Sequence, residues 1–255
     1  MSVIWSRSIL LLLLVFGASS VQADIDARVY WGKRIDMGVP VSGIVESVPV
    51  DVGMRVKKGE LLLSLEQTPF RTALTEAKAA LAQANGRRKE ARRDFAQAKE
   101  LYDRGLTSNV EFENARLKKE DSEAAYLAAR ARLERASYDL SRSSLRAPFD
   151  GLVLSKKVEA GQTLISTQQV ATVITFVAEG DYVAQGLVSG KQLKDLDIGK
   201  KATVSVAKNN FTGTISALGL EPTNGKSGDP QYQITVRFNS STVLLRAGTE
   251  AEISF

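Results

Sequence analysis

The longest regular pattern in the chain is a spacing of apolar residues between Pro69 and Pro148. This stretch of 78 residues lacks proline and is rich in Ala, Glu, Lys, Arg and Gln, which favour helices. Apolar residues recur at alternating steps of four and three, which predicts a coiled-coil seam. The first series is Phe70, Leu74, Ala77, Leu81, Ala84, Ala91, Phe95, Ala98 and Tyr102, and the second is Phe112, Ala115, Tyr126, Ala129, Leu133, Ala136 and Leu140. Arg88, Lys119 and Ser122 interrupt these series with polar side chains.

A turn divides this segment into two helices. Gly105 can end the first helix in the left-handed conformation, and Ser108 with Glu111 forms the sequence signature of a capping box. Each arm then has about 35 residues, which corresponds to roughly 50 Å at 1.5 Å per residue. The pattern therefore predicts an antiparallel coiled-coil hairpin over residues 69–143.

Two β-like segments flank the hairpin and repeat each other. Segments 43–53 and 151–161 begin and end with glycine, and each alternates apolar and polar residues. The matching pairs are Val45 and Val153, Ser47 and Ser155, Val50 and Val158, and Asp51 and Glu159. Neither copy is long enough to bury a core alone, so we expect the two to fold together into a small β-sandwich. Residues 24–68, with an N-terminal strand, are assigned to its first half, and residues 144–177 to its second half. Residues 25–38 could add their strand to either this sandwich or the β module at the end of the chain.

The last third of the chain predicts a separate β module over residues 178–255. Five β-like runs are separated by turn-forming residues: 182–189, 201–207, 211–218, 232–238 and 249–255. Short strands at this spacing indicate a small barrel. Residues 191–196 have the pattern of a single helical turn.

Composition excludes several classes of chemistry. The chain has no cysteine and no histidine, which removes Ser-His-Asp and Cys-His catalysis and the usual zinc ligands. We therefore expect no enzymatic activity, no metal site and no cofactor. A net charge of +5, spread over 255 residues, does not indicate a nucleic-acid partner.

Residues 1–23 have the pattern of a secretory signal peptide. Arg7 precedes an apolar run, and the segment ends in small residues at Val21-Gln22-Ala23. We expect cleavage after Ala23 and a periplasmic location; the alternative is an uncleaved N-terminal anchor.

The order of these segments resembles the periplasmic adaptor family, also called membrane fusion proteins, of tripartite efflux and secretion systems. The segments that carry the resemblance are Ser42–Val45, Val52–Leu62, Leu145–Gly151, Val158–Gln162 and Leu245–Thr249. The resemblance implies a mainly β fold with a long α-helical coiled-coil hairpin. In it, a lipoyl-like barrel-sandwich hybrid holds the inserted hairpin and is followed by a small β-barrel. No lysine lies at the turn between the two halves, where lipoate and biotin carriers have their modified lysine.

The resemblance also implies a function. Members bridge an inner-membrane exporter, of resistance-nodulation-division or ABC type, to an outer-membrane channel and export drugs or other small molecules. They are homo-oligomers, often hexamers, and the lipoyl-like modules pack side by side. Many members continue into a membrane-proximal domain, whereas this sequence stops after the last predicted strand, which favours a smaller transporter contact. The alternative is a periplasmic scaffold or binding protein whose hairpin has a different partner.

The family resemblance places the channel-binding residues at the tip of the hairpin. The family pattern has an arginine, a leucine four residues later and a serine seven residues after that. Leu101 and Ser108 match the last two positions, whereas Gln97 replaces the arginine. Arg104 and Leu106 lie nearer the turn. The predicted partner-binding residues are therefore Gln97, Leu101, Arg104, Leu106 and Ser108.

Overall fold

The computed structural model describes residues 24–166, 171–223, 229–241 and 243–255, so the predicted signal peptide lies outside the described residues. The described residues divide into two compact units, one that contains residues 24–30 and residues from 182 onwards, and one within residues 31–181. The helices are α1 (Thr68–Asp103), α2 (Asn109–Arg142) and α3 (Gly190–Leu193). The strands are β1 (Ile25–Trp31), β2 (Arg34–Met37), β3 (Gly43–Ser47), β4 (Arg55–Val56), β5 (Leu61–Leu65), β6 (Ser144–Arg146), β7 (Gly151–Lys156), β8 (Thr163–Leu164), β9 (Ile174–Ala178), β10 (Asp181–Ser189), β11 (Lys201–Val206), β12 (Asn209–Thr223), β13 (Gln231–Asn239) and β14 (Glu250–Ser254).

The predicted sandwich consists of two four-stranded sheets with the orders β2-β9-β7-β4 and β6-β5-β3-β8. The repeated segments exchange their second strands: β4 of the first copy pairs with β7 of the second, and β8 of the second copy pairs with β3 of the first. Since each half completes the sheet of the other, neither half is a closed structure alone. This explains why the hairpin can be inserted between them without breaking the core.

Backbone hydrogen bonds repeat the same exchange. The Gly53 amide donates to the Val153 carbonyl at 2.8 Å, and the Gly161 amide donates to the Val45 carbonyl at 2.8 Å. Both glycines have a positive φ, 85° and 86°, which costs an L-residue free energy. Val45 and Val153 are buried in a common apolar core. The repeat seen in the sequence is therefore a structural pseudo-symmetry.

The second unit is a closed six-stranded barrel with the order β1-β10-β13-β12-β11-β14. Its interior is filled by alternate residues of the strands, such as Val204, Ile234 and Ile253. The buried Tyr182 hydroxyl accepts a hydrogen bond from the Leu245 amide at 3.1 Å. The predicted small barrel is confirmed, although it also needs β1 from the start of the chain. Its strand β12 extends to Thr223, five residues beyond the predicted end at residue 218.

One sequence grouping was wrong. Residues 24–68 were assigned together to the first half of the sandwich, but β1 pairs with β14 in the barrel, in the register Ile25↔Ile253. Only β2 joins the sandwich, where it pairs with β9. Both strands alternate in burial, so local pattern alone cannot choose between two partners that are more than 130 residues away.

Candidate partner-binding site

The hairpin seam follows the predicted spacing along its whole length. Of the apolar seam residues, Ala91 and Ala129 are buried, and the others are partly buried, except Tyr102, which lies near the tip and is 40% exposed. Small alanine side chains let the two helices approach closely. The predicted coiled-coil hairpin is therefore confirmed, with arms of 36 and 34 residues.

The polar residues that interrupt the apolar series also lie in the seam. The Arg88 guanidinium lies 3.7 Å from the centre of the Tyr126 ring, and the Lys119 ammonium lies 4.5 Å from the centre of the Phe95 ring. Both carboxylate oxygens of Glu123 accept hydrogen bonds from the Arg92 guanidinium, at 2.8, 2.9 and 3.1 Å. Cation–π and charged contacts thus replace apolar packing at the middle of the hairpin.

Glycine ends α1 as the sequence predicted. Gly105 has a φ of 70°, its amide donates to the Tyr102 carbonyl, and the Leu106 amide donates to the Leu101 carbonyl. These two bonds form a Schellman motif, which satisfies carbonyl groups at the end of a helix. The two hydrogen bonds fix the backbone of the tip, where the Leu106 side chain is exposed.

A capping box begins α2. The Ser108 hydroxyl accepts from the Glu111 amide at 3.2 Å, and the Glu111 carboxylate accepts from the Ser108 amide at 3.0 Å. Hydrogen bonds from the Thr107 hydroxyl and from Ser108 lower the pKa of Glu111 below the usual glutamate value. Glu111 is therefore ionised near neutral pH. Its negative charge in the first turn of α2 interacts favourably with the positive end of the helix dipole.

The structure places the five predicted residues at or near the tip. Gln97, Arg104 and Ser108 are exposed, and Leu101 is partly buried. Leu106 is 62% exposed. The Arg104 guanidinium lies 3.6 Å from the Glu100 carboxylate, a contact between exposed groups that contributes little stability.

Sequence reasoning missed Val110, which is 67% exposed in the first turn of α2. With Leu106 it gives the tip two large apolar side chains in solvent, which is typical of a surface that meets a partner. A signal was present in the sequence, because Val110 is apolar but lies off the seam series.

Replacing Ser108 separates its capping role from any contact with a partner. Ser108→Ala removes the acceptor for the Glu111 amide, and we expect it to destabilise the hairpin by about 1 kcal/mol. Ser108→Asp keeps an acceptor and should retain the stability. Thermal unfolding of both variants, followed by circular dichroism, measures this difference, and equal melting temperatures would contradict the capping role. A loss of partner binding in Ser108→Asp, whose stability is retained, would indicate that the serine also contacts a partner.

Other kinds of site find no support in the described ranges. Within them, no three Asp or Glu side chains are grouped as metal ligands would be. No helix among these residues combines the length and the apolar character that crossing a bilayer requires. The first half of the sandwich passes from β5 directly into α1, so the chain has no carrier-type turn between its halves.

A strand-exchanged sandwich with an inserted coiled-coil hairpin, together with a six-stranded barrel, defines the class of membrane fusion proteins. The family model described as "CzcB-like, barrel-sandwich hybrid domain" matches residues 35–175, more than half of the chain. The chain therefore belongs to this family.

Individual relatives agree with this assignment. The chain is 28% identical over 214 residues to the cobalt-zinc-cadmium resistance protein CzcB of Cupriavidus metallidurans, covering 80% of this chain and 40% of CzcB. It is 26% identical over 244 residues to the macrolide export protein MacA of Yersinia pestis, covering 87% of this chain and 64% of MacA. The chain thus spans less than two thirds of the length of either relative.

A solved structure has the same fold. The membrane fusion protein Spr0693 of Streptococcus pneumoniae R6 aligns with a TM-score of 0.69 and 18% identity, over 91% of this chain and 97% of that one. At this identity the likeness concerns the fold alone.

Proposed function

We propose that this protein is a non-enzymatic periplasmic adaptor that links an inner-membrane exporter to an outer-membrane channel. The observation that carries the proposal is the tip of the hairpin, where Leu106 and Val110 lie in solvent on a turn fixed by two caps. A helix of 36 residues extends about 54 Å, so the tip lies far from the sheets at the base of the hairpin. This arrangement gives reach and a defined end, which suit a bridging role.

The tip binds the channel through a small surface that combines apolar and polar groups. Leu106 and Val110 supply the apolar contact, and Gln97, Arg104 and Ser108 supply polar groups around it. Leu101 stabilises the turn, because its carbonyl accepts a hydrogen bond from the Leu106 amide. Such a surface resembles the apolar centre and polar rim of a protein interface.

The barrel binds the inner-membrane transporter, which is of the resistance-nodulation-division or ABC type. The names of the relatives point to two classes of cargo, metal cations for CzcB and macrolides for MacA. The exported substrates are accordingly drugs or other small molecules. The protein acts in the periplasm after removal of residues 1–23, and it assembles as a homo-oligomer, a hexamer by family resemblance.

Photo-crosslinking tests both ends of the bridge in intact cells. A crosslinking residue at Asn109, beside the capping serine, should yield an adduct with an outer-membrane channel. A second one at Lys208, in the turn between β11 and β12, should yield an adduct with an inner-membrane transporter. Mass spectrometry identifies each adduct. Crosslinks only to soluble periplasmic proteins would contradict the bridge and would favour a scaffold.

A further inference from the structure

The seam of the hairpin is polar in its middle. Of the residues that interrupt the apolar series, Arg88 lies on α1, and Lys119 and Ser122 lie on α2. The ion pair between Arg92 and Glu123 joins these stretches of the two helices, so the three polar residues lie at nearly the same height of the hairpin. We name this part the polar section: residues 85–93 of α1 and residues 119–123 of α2.

Apolar contacts fill the seam on both sides of the polar section. Towards the tip, the Phe112 ring packs against the rings of Phe95 and Tyr102, with centroid distances of 5.7 and 4.8 Å. Towards the base, the seam contains partly buried leucines: Leu74, Leu81, Leu133 and Leu140. The hairpin therefore consists of two apolar blocks with the polar section between them.

Few interactions across the seam hold the polar section closed. The buried Nε of Arg88 has no hydrogen-bond acceptor among the described residues. Burial of a donor without an acceptor is unfavourable. The buried Ser122 hydroxyl donates to the Lys119 carbonyl of its own helix at 2.8 Å, so this bond does not join the two helices. The packing that stabilises the two apolar blocks is thus weaker in the polar section.

The helix α1 is itself weak in the polar section. Glycine is a poor helix former, and a Cβ added at Gly86 would meet no atom of another segment within 4 Å, so packing does not require glycine there. Five of the nine residues from 85 to 93 are basic, and only one is acidic. Like-charged residues four positions apart destabilise a helix, and two such pairs occur here: Arg88 with Arg92, and Lys89 with Arg93.

One carboxylate of α2 compensates for these defects. Glu123 accepts hydrogen bonds from the Arg92 guanidinium at 2.8 to 3.1 Å and a longer one from Arg88 at 3.4 Å. Its negative charge thus lies beside two cations that repel each other, and charge-assisted bonds with two oxygens are strong. The Glu123 side chain is 33% exposed, so water has access to this contact.

We propose that the polar section is a bending point of the hairpin and that Glu123 is the latch that closes it. When the latch opens, α1 loses helical hydrogen bonds around Gly86, while the apolar blocks on both sides stay paired. Local opening occurs in segments that have few buried apolar contacts, which is the condition of the polar section. Helices kink where their backbone hydrogen bonds are interrupted, so the tip changes direction while each block keeps its packing.

A bending point at this height moves the tip without unfolding the arm. Eighteen residues separate Gly86 from Arg104, which is about 27 Å of helix. A bend of about 10° at Gly86 therefore displaces the tip by roughly 5 Å. The bending point belongs to the hairpin itself, so it does not depend on the partners proposed above.

Hydrogen exchange of the full chain, read peptide by peptide with mass spectrometry, measures the opening. The amides of residues 86–93 should exchange about tenfold faster, or more, than those of residues 74–82 and 95–101. Glu123→Gln keeps the shape of the latch but removes its charge, and it should raise the exchange of residues 86–93 by a further factor of about ten. The matched control is Glu120→Gln, since Glu120 pairs with Arg116 of its own helix. This control should leave the exchange of α1 unchanged.

A second variant shifts the equilibrium in the opposite direction. Arg88→Leu places an apolar residue at the seam position and leaves Arg92 to pair with Glu123, so it should slow the exchange of residues 86–93 about tenfold. Spin labels at Lys78→Cys and Ala96→Cys report the bend, because both sites are exposed and the chain has no native cysteine. A straight helix holds them about 27 Å apart. Shorter distances should also occur, and Arg88→Leu should remove them.

Three results would overturn the bending point: uniform exchange along both helices, an equal effect of Glu123→Gln and Glu120→Gln, or a single narrow distance between the labels. Unchanged exchange in Arg88→Leu would contradict the role of the polar seam. Arg88→Leu adds apolar contact and should fold even where Glu123→Gln does not, so the test does not rest on one variant. Tip and barrel crosslinks are measured separately, and their loss would contradict the proposed function and leave the bending point intact.

Discussion

Replacing Leu106 with glutamate should abolish export while leaving the hairpin folded. The side chain is 62% exposed and the turn is held by the Leu106 backbone amide, so the fold loses little buried contact. A charge in the apolar centre of an interface cannot be solvated, and residues at such centres contribute 2 kcal/mol or more to binding. This corresponds to a loss in channel affinity of about 30-fold or more. The yield of the adduct formed at Asn109 measures the loss.

Two controls accompany this variant. Leu106→Met keeps an apolar side chain and should retain the adduct. Leu220→Glu places the same charge on β12, at a leucine that is 96% exposed, and should also leave the tip adduct unchanged. Circular dichroism verifies that the helices remain. A normal tip adduct in Leu106→Glu would show that the tip does not bind through this residue.

Replacing Gly151 with alanine should produce the largest loss of stability in the sandwich. A Cβ at this position would overlap the backbone carbonyl oxygen of Val177, which belongs to the neighbouring strand β9. Backbone atoms inside a sheet cannot move aside cheaply, so we expect a loss of about 3 kcal/mol in the free energy of unfolding. For a unit of this size, the melting temperature should fall by roughly 6 to 12 °C.

The sequence repeat offers a matched control, because Gly43 occupies the equivalent position in the first copy. A Cβ there would come closest to a terminal methyl group of the buried Leu65 side chain, at 3.1 Å, so this neighbour needs to shift by only a few tenths of an ångström. Gly43→Ala should therefore cost about 1 kcal/mol, within the usual range for single substitutions. Gly86→Ala, on the open face of α1, should stabilise the helix by about 1 kcal/mol. Equal losses at Gly43 and Gly151 would contradict the role of the Val177 carbonyl.

Much of the candidate site was predictable because its signals are local. The average apolar spacing of 3.5 residues predicted the seam. Gly105 predicted the end of α1, and Ser108 with Glu111 predicted the start of α2. The same reasoning treated Arg88, Lys119 and Ser122 as interruptions, although they occupy the seam. The period of apolar residues in one helix shows which side chains face the other helix. Whether a cation at such a position lies over an aromatic ring depends on the residues of the facing helix.

By itself, the sequence determined the hairpin, its caps, the repeat of the two half-motifs and the order of the modules. These follow from short-range chemistry: helix spacing, glycine conformation and capping hydrogen bonds act within a few residues. Only the tertiary structure decided that β1 belongs to the barrel, that β4 and β8 are exchanged between the halves, and that Arg88 and Lys119 lie over aromatic rings of the facing helix. Each of these depends on contacts between distant segments, whose partners no local pattern specifies.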